Sequence, residues 1–156
     1  MLNAIYILDA ERREMIYGPD EQAAIGRLVN VYAPAQTRTS IAENMALLAP
    51  ADIILTGWGA PTMDEAFLAA APRLRAVFYG AGSIKSMVTE AFWQRNIVVT
   101  SAWAANAIPT AEFAFSQIIF CLKRGWHYAL SIKRLGAYPP REYVPGAYGS
   151  TVGIVS

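Results

Sequence analysis

At 156 residues, 54% of them hydrophobic, the chain has the length and the apolar material for one domain with a real core. Thirteen Lys and Arg against twelve Asp and Glu leave a formal net charge of +1, so no global field draws it to nucleic acid or anionic lipid, and neither is expected as a partner. The only cysteine, Cys121, excludes an intramolecular disulfide and reads as a small core hydrophobe.

The chain opens on a short apolar run, Ala4 to Leu8, followed by charges at Asp9, Glu11, Arg12 and Arg13. It has neither the basic start nor the small-residue cleavage site of a signal peptide. No uninterrupted apolar run reaches the roughly 18 to 20 residues of a membrane span, so a cytoplasmic protein without a membrane partner is expected. Further runs rich in Ile and Val, at Leu28–Ala33, Asp52–Thr56, Leu74–Tyr79 and Ile97–Thr100, predict four more buried strands. Between them Glu21–Gly26, Ser40–Leu48, Met63–Ala71 and Ile84–Arg95 carry helical spacing, with Thr62 or Asp64 as a cap and Pro72 as a stop. This alternation predicts an α/β fold, an open and mostly parallel sheet with helices on both faces.

From Ala104 to about Leu135 the pattern becomes one long helix. Ile108, Ala111, Phe115, Ile118, Leu122 and Trp126 recur at steps of three and four, and Phe113, Ile119 and Phe120 make the other side apolar too. Such a helix is expected to be buried on several faces, at a joint between domains, with a bend at Gly125. Gly136 to Gly149, rich in proline and glycine, reads as an ordered linker. The closing residues from Gly149 to Ser156 read as a strand just beginning, either a frayed tail or the opening of a second domain. The low charged fraction, 16%, agrees with a surface meant to be covered by that domain or by a subunit partner.

Two segments could carry chemistry. Gly80-Ala81-Gly82-Ser83 follows a predicted strand and precedes a predicted helix, where glycines allow close backbone approach and successive amides hold an anion. It lacks the third glycine of a dinucleotide fingerprint, and its plainest reading is a strand-to-helix turn. At the head of the long helix, Asn106 and Thr110 place hydrogen-bonding side chains. The plain reading there makes Asn106 the cap, puts Pro109 in the first turn and sets Glu112 on the helix dipole. His127, the lone histidine, sits late in the helix beside Lys123 and Arg124 and reads as a surface residue. One cysteine and one histidine offer no zinc spacing.

Three segments in order, Leu74-Arg75-Ala76-Val77-Phe78-Tyr79-Gly80-Ala81-Gly82-Ser83, then Asn96-Ile97-Val98-Val99-Thr100, then Ala104-Ala105-Asn106-Ala107 with Thr110-Ala111-Glu112-Phe113-Ala114, resemble the D-isomer-specific 2-hydroxyacid dehydrogenases. The tail from Tyr148 to Val155 resembles the strand that opens that family's NAD-binding domain. The resemblance implies a flavodoxin-like substrate domain over residues 1–103, a crossover helix over 104–135, and a linker with the first cofactor-domain strand over 136–156. It implies that Gly80, Ala81, Gly82 and Ser83 face the carboxylate of a small 2-hydroxy or 2-keto acid, that Asn106 hydrogen-bonds substrate, and that Thr110, where valine is more usual, packs near the nicotinamide of NAD or NADP. It also implies a homodimer at full length. No residue in this chain matches the family's catalytic arginine, glutamate or histidine, so the expectation is an inactive fragment of an oxidoreductase. The alternative is a free-standing flavodoxin-like module that binds a small anion or regulates.

Overall fold

The computed structural model describes residues 1–155. They form two compact units, one over Met1–Asn106 and one from Ala107 onward. In the first, β1 (Asn3–Ile7), β2 (Asn30–Val31), β3 (Ile53–Thr56), β4 (Ala76–Tyr79) and β5 (Val98–Ser101) form a five-stranded sheet in the order β2-β1-β3-β4-β5. Every pairing is parallel. This is the flavodoxin-like order, whose topological switch point lies between β1 and β3.

Side chains alternate across each strand, so the sheet feeds two cores. Ile5, Ile7, Ile54 and Val77 point to one face, where α3 (Arg38–Glu43), α4 (Glu65–Ala70) and α5 (Glu90–Gln94) add Ile41, Phe67, Leu68 and Phe92. Ala4, Tyr6, Leu8, Ile53 and Leu55 point to the other, packed by Ile16 at the end of α1 (Ala10–Ile16) and Ile25 of α2 (Pro19–Leu28). The second cover stops short, leaving Phe78 of β4 and Val98 of β5 41% and 61% exposed.

Local polar contacts set the helix ends. The Asp64 carboxylate accepts the Phe67 amide at 2.9 Å, so Asp64 rather than Thr62 caps α4. Arg95 closes its far end by donating to the Ala71 and Pro72 carbonyls, each at 3.0 Å. Thr37 and Ser40 form a capping box on α3.

Several predicted elements shift. The segment 84–95 is helical only over Glu90–Gln94, because Thr89 caps it by accepting the Phe92 amide while its own hydroxyl donates to Met63 O. The predicted helix 40–48 is α3 followed by a short 3₁₀ turn at Met45–Leu48. Predicted strand 28–33 shrinks to Asn30–Val31, both exposed at the sheet edge. α1 had no apolar periodicity to betray it, since only Met15 and Ile16 in Ala10–Ile16 are large and apolar.

The long helix divides into α6 (Trp103–Leu122) and α7 (Gly125–Leu135). Arg124 takes a left-handed φ of 57° between them, and Phe120 stacks edge-on with Trp126 at 5.1 Å. Gly125 opens α7 because a Cβ there would enter the Phe120 ring. Contrary to expectation no residue of α6 is buried, and Cys121 is exposed. A helix apolar all round needs neighbours on several sides, and the described residues after α7 contain no helix or strand to supply them. By length and composition α6 would suffice to cross a membrane, although Asn106, Glu112 and Gln117 interrupt its apolar surface. The linker is held where Glu142 pairs with Arg124 and approaches His127 at 3.9 Å. Of the predicted terminal strand, residues 151–155 form no strand in this chain, and Ser156 lies outside the described residues.

Asp52 leads into β3, buried, accepting the Asn3 amide at 2.9 Å and the Arg73 guanidinium at 3.1 Å. The Asn3 amide first, then the Arg73 and Arg75 charges, hold its carboxyl below the usual 3.8 against the opposing effect of burial. A depressed native pKa means that the unfolded chain takes up the proton first as pH falls. The stabilisation is therefore complete above about pH 4 and is lost as pH drops through the native value. Asp52→Asn should flatten the acid limb of a urea-midpoint titration from about pH 6 to pH 2. Parallel curves for the two proteins would show that Asp52 contributes nothing to it.

Candidate functional site

The carboxyl ends of β3, β4 and β5 run into Gly57-Trp58-Gly59, Gly80-Ala81-Gly82-Ser83 and Ala102. Over these ends sits Tyr17, whose hydroxyl donates to Thr56 O at 2.8 Å and Phe78 O at 3.1 Å. Thr56 O also accepts the Gly80 amide at 2.8 Å, so both of its lone pairs are engaged. Burial, followed by the adjacent Tyr6, pushes the Tyr17 phenol far above its usual range, and it stays a neutral donor. Ile16, one residue back, wedges between Gly57 and Gly80, and a Cβ on either glycine would collide with it. These glycines are required by close approach rather than by unusual dihedrals.

A cleft of about 480 Å³ opens beside this wedge. Met15, Ile16 and Tyr17 of the α1 end, Glu21 and Ile25 of α2, Trp58 after β3, Gly80 after β4, and Ala102 with Asn106 near the start of α6 line it. Asn106 is half-buried and faces the glycine turn, such that a Cβ on Gly82 would stand 3.1 Å from its Nδ2.

Gly80, Gly82 and Asn106 thus come together, with Ala81 buried between the glycines. The sheet ladder ends at Tyr79, paired with Ser101. Beyond it, the Gly80 amide is committed to Thr56, whereas the amides of Ala81, Gly82 and Ser83 donate to no acceptor among the described residues. Ser83 is exposed, and its Oγ accepts the Lys85 amide at 3.4 Å. No helix begins at this turn, since α5 starts only at Glu90, so an anion here would meet individual amides and not a helix dipole. Asn106 is not a cap either. It lies inside α6 with Pro109, and Glu112 falls mid-helix, beyond reach of the dipole. Thr110 follows four residues on in α6, exposed. His127 lies on α7 beside Glu142, as a surface residue.

Residue reading missed Met15, Ile16, Tyr17, Ile25 and Trp58. The one usable signal was Gly57-Trp58-Gly59, a tryptophan between glycines directly after a strand. Among the described residues no group of three His, Cys, Asp or Glu could hold a metal. Nor do these residues fit a dinucleotide, because the glycine turn opens no helix and spends its first amide on the sheet.

The fold is shared with solved structures of an oxidoreductase and of dehydrogenases. A phosphoglycerate oxidoreductase from Rhizobium etli matches with a TM-score of 0.63 at 20% identity over 97% of this chain and 46% of its own. A D-lactate dehydrogenase from Aquifex aeolicus, solved with NAD and lactic acid, matches with a TM-score of 0.57 at 18% identity, over 93% of this chain and 41% of its own. A D-lactate dehydrogenase from Treponema pallidum gives 0.63 at 13% identity, over 94% and 43%. The chain spans less than half the length of each. By sequence, no family model and no curated protein matches it. The resemblance in the motifs is therefore met in the fold.

Gly80→Ala must displace Ile16 beneath Tyr17 and should cost about 1–3 kcal/mol. Gly82→Ala presses only on the Asn106 side chain and should cost under about 1 kcal/mol. Urea midpoints measure both, and equal losses would mean that the Ile16 wedge is not rigid.

Proposed function

We propose that the chain supplies the substrate-binding part of an NAD(P)-dependent oxidoreductase that interconverts 2-hydroxy and 2-keto acids by hydride transfer. The observation that carries this reading is the turn after β4, where the uncommitted amides of Gly82 and Ser83 stand beside Asn106 at the edge of the sheet, with Ala81 buried behind them. A carboxylate takes two or three such amides, and the Asn106 carboxamide donates to the neighbouring substrate oxygen. The match over nearly the whole chain with D-lactate dehydrogenase structures, one of them solved with NAD and lactic acid, supports the same reading.

In this reading residues 1–103 are the substrate domain, 104–135 the crossover region and 136–156 the link to a cofactor domain, toward which Thr110 supplies one contact. The protein as a whole is a cytoplasmic homodimer. Coverage of 97% by the Rhizobium etli structure leaves no room for the 20-residue α6 to fall outside the shared fold, which favours a helix of this domain over a membrane span.

Hydride transfer needs a held nicotinamide, a cation on the carbinol oxygen and an acid–base group. Among the cleft's lining residues there is no cation and no histidine. What the chain's residues do is bind and orient the acid, and by itself the chain should not turn over. The alternative, a free-standing small-anion module, draws on the same free amides, since they need no cofactor to act.

Titrating the ¹⁵N-labelled chain with oxalate, pyruvate and inorganic phosphate tests these readings. The organic acids should shift the Ala81, Gly82 and Ser83 amides saturably, and Asn106→Ala should weaken them about three- to tenfold. Phosphate binding more tightly than either organic acid would favour the anion module. Silent amides would remove the site, and keto-acid-dependent NADH oxidation by the chain would refute its inactivity.

A further inference from the structure

We infer that the acid bound at this site carries a bulky, uncharged, apolar substituent on the carbon beside its carboxylate, seated against Ile16, Ile25 and Trp58; the inference rests on the carboxylate reading of the Gly80–Ser83 turn. Gly80, which opens the turn, and Asn106 belong to the lining of this cleft, whereas Ala81, Gly82 and Ser83 do not, so an acid held at the turn reaches that space past Asn106. The wall it meets there is the side chains of Met15, Ile16, Ile25 and Trp58 with the Tyr17 ring.

Three features select the substituent. The only charged residue in the lining is Glu21, so a phosphate or second carboxylate would lose water, find no cation and face a like charge. Arg12 stands over the Trp58 ring, 5.9 Å from its centroid, but is not part of the lining. The Tyr17 hydroxyl already shares its one hydrogen between two carbonyls, so it has none left for a carbonyl or other acceptor group on the substituent. The cleft measures about 480 Å³, within the range that holds whole drug-sized ligands. A two- or three-carbon acid would leave most of the apolar wall without contact, whereas an aryl or branched alkyl group gains dispersion and burial along it.

Titration of the labelled chain with 3-phenyllactate, glycolate and malate, followed at the Ala81–Ser83 amides and the Trp58 indole, tests this. The expected order has 3-phenyllactate about ten- to a hundredfold tighter than glycolate, with malate weakest. Trp58→Ala should narrow the gap between 3-phenyllactate and glycolate. Glu21→Gln, at an exposed position, should raise malate affinity. Equal affinities with shifted turn amides would overturn the substituent assignment and leave the carboxylate site standing. Acids that leave the turn amides unmoved would overturn both.

Discussion

A single buried hydroxyl organises the working edge of this domain. Tyr17 lies over the carboxyl ends of β3 and β4, and a phenol in that position must find an acceptor or forfeit the free energy of its lost hydration. It finds two, Thr56 O and Phe78 O, near the carboxyl ends of β3 and β4. Holding Tyr17 holds Ile16, and the position of Ile16 demands glycine at 57 and 80. From Gly80 the chain turns away from the sheet, which releases the next amides from the ladder. The cleft, its apolar wall and the free amides all follow from the anchoring of one side chain.

The sheet is unevenly clothed, and the surface records it. Three helices complete one face, while α1 and α2 alone cover the other and leave Phe78 and Val98 to solvent. In the second unit α6 presents Ile108, Phe113 and Phe115 without burying them. Monomeric proteins seldom leave such apolar area open, and the chain spans under half of each matched structure.

Strands were legible wherever burial on both faces wrote an unbroken apolar run, as in Ile53–Thr56, and illegible where a strand is short and exposed, as in Asn30–Val31. Helices were legible from apolar spacing and a cap. α1 has neither, since Asp9 makes no side-chain cap bond, and it owes its place to Ile16 and Tyr17 packing on the sheet. The glycine turn could be placed from its residues, but its role was attributed to a helix that Thr89 delays until Glu90. Asn106 could be named, but whether it capped α6 or faced Gly82 depended on where that helix began.

The sequence by itself determined the alternating strands and helices, the apolar load that drives collapse, the glycines after β4 and the asparagine that follows β5, because each is a local pattern with a local physical cause. Tertiary structure alone decided the strand order. It also decided that Met15, Ile16, Tyr17, Ile25 and Trp58 meet Gly80 and Asn106 in one cleft. Those residues lie on separate elements, and what joins them is the parallel crossover that returns successive strands to the same edge, a long-range condition that no local spacing encodes.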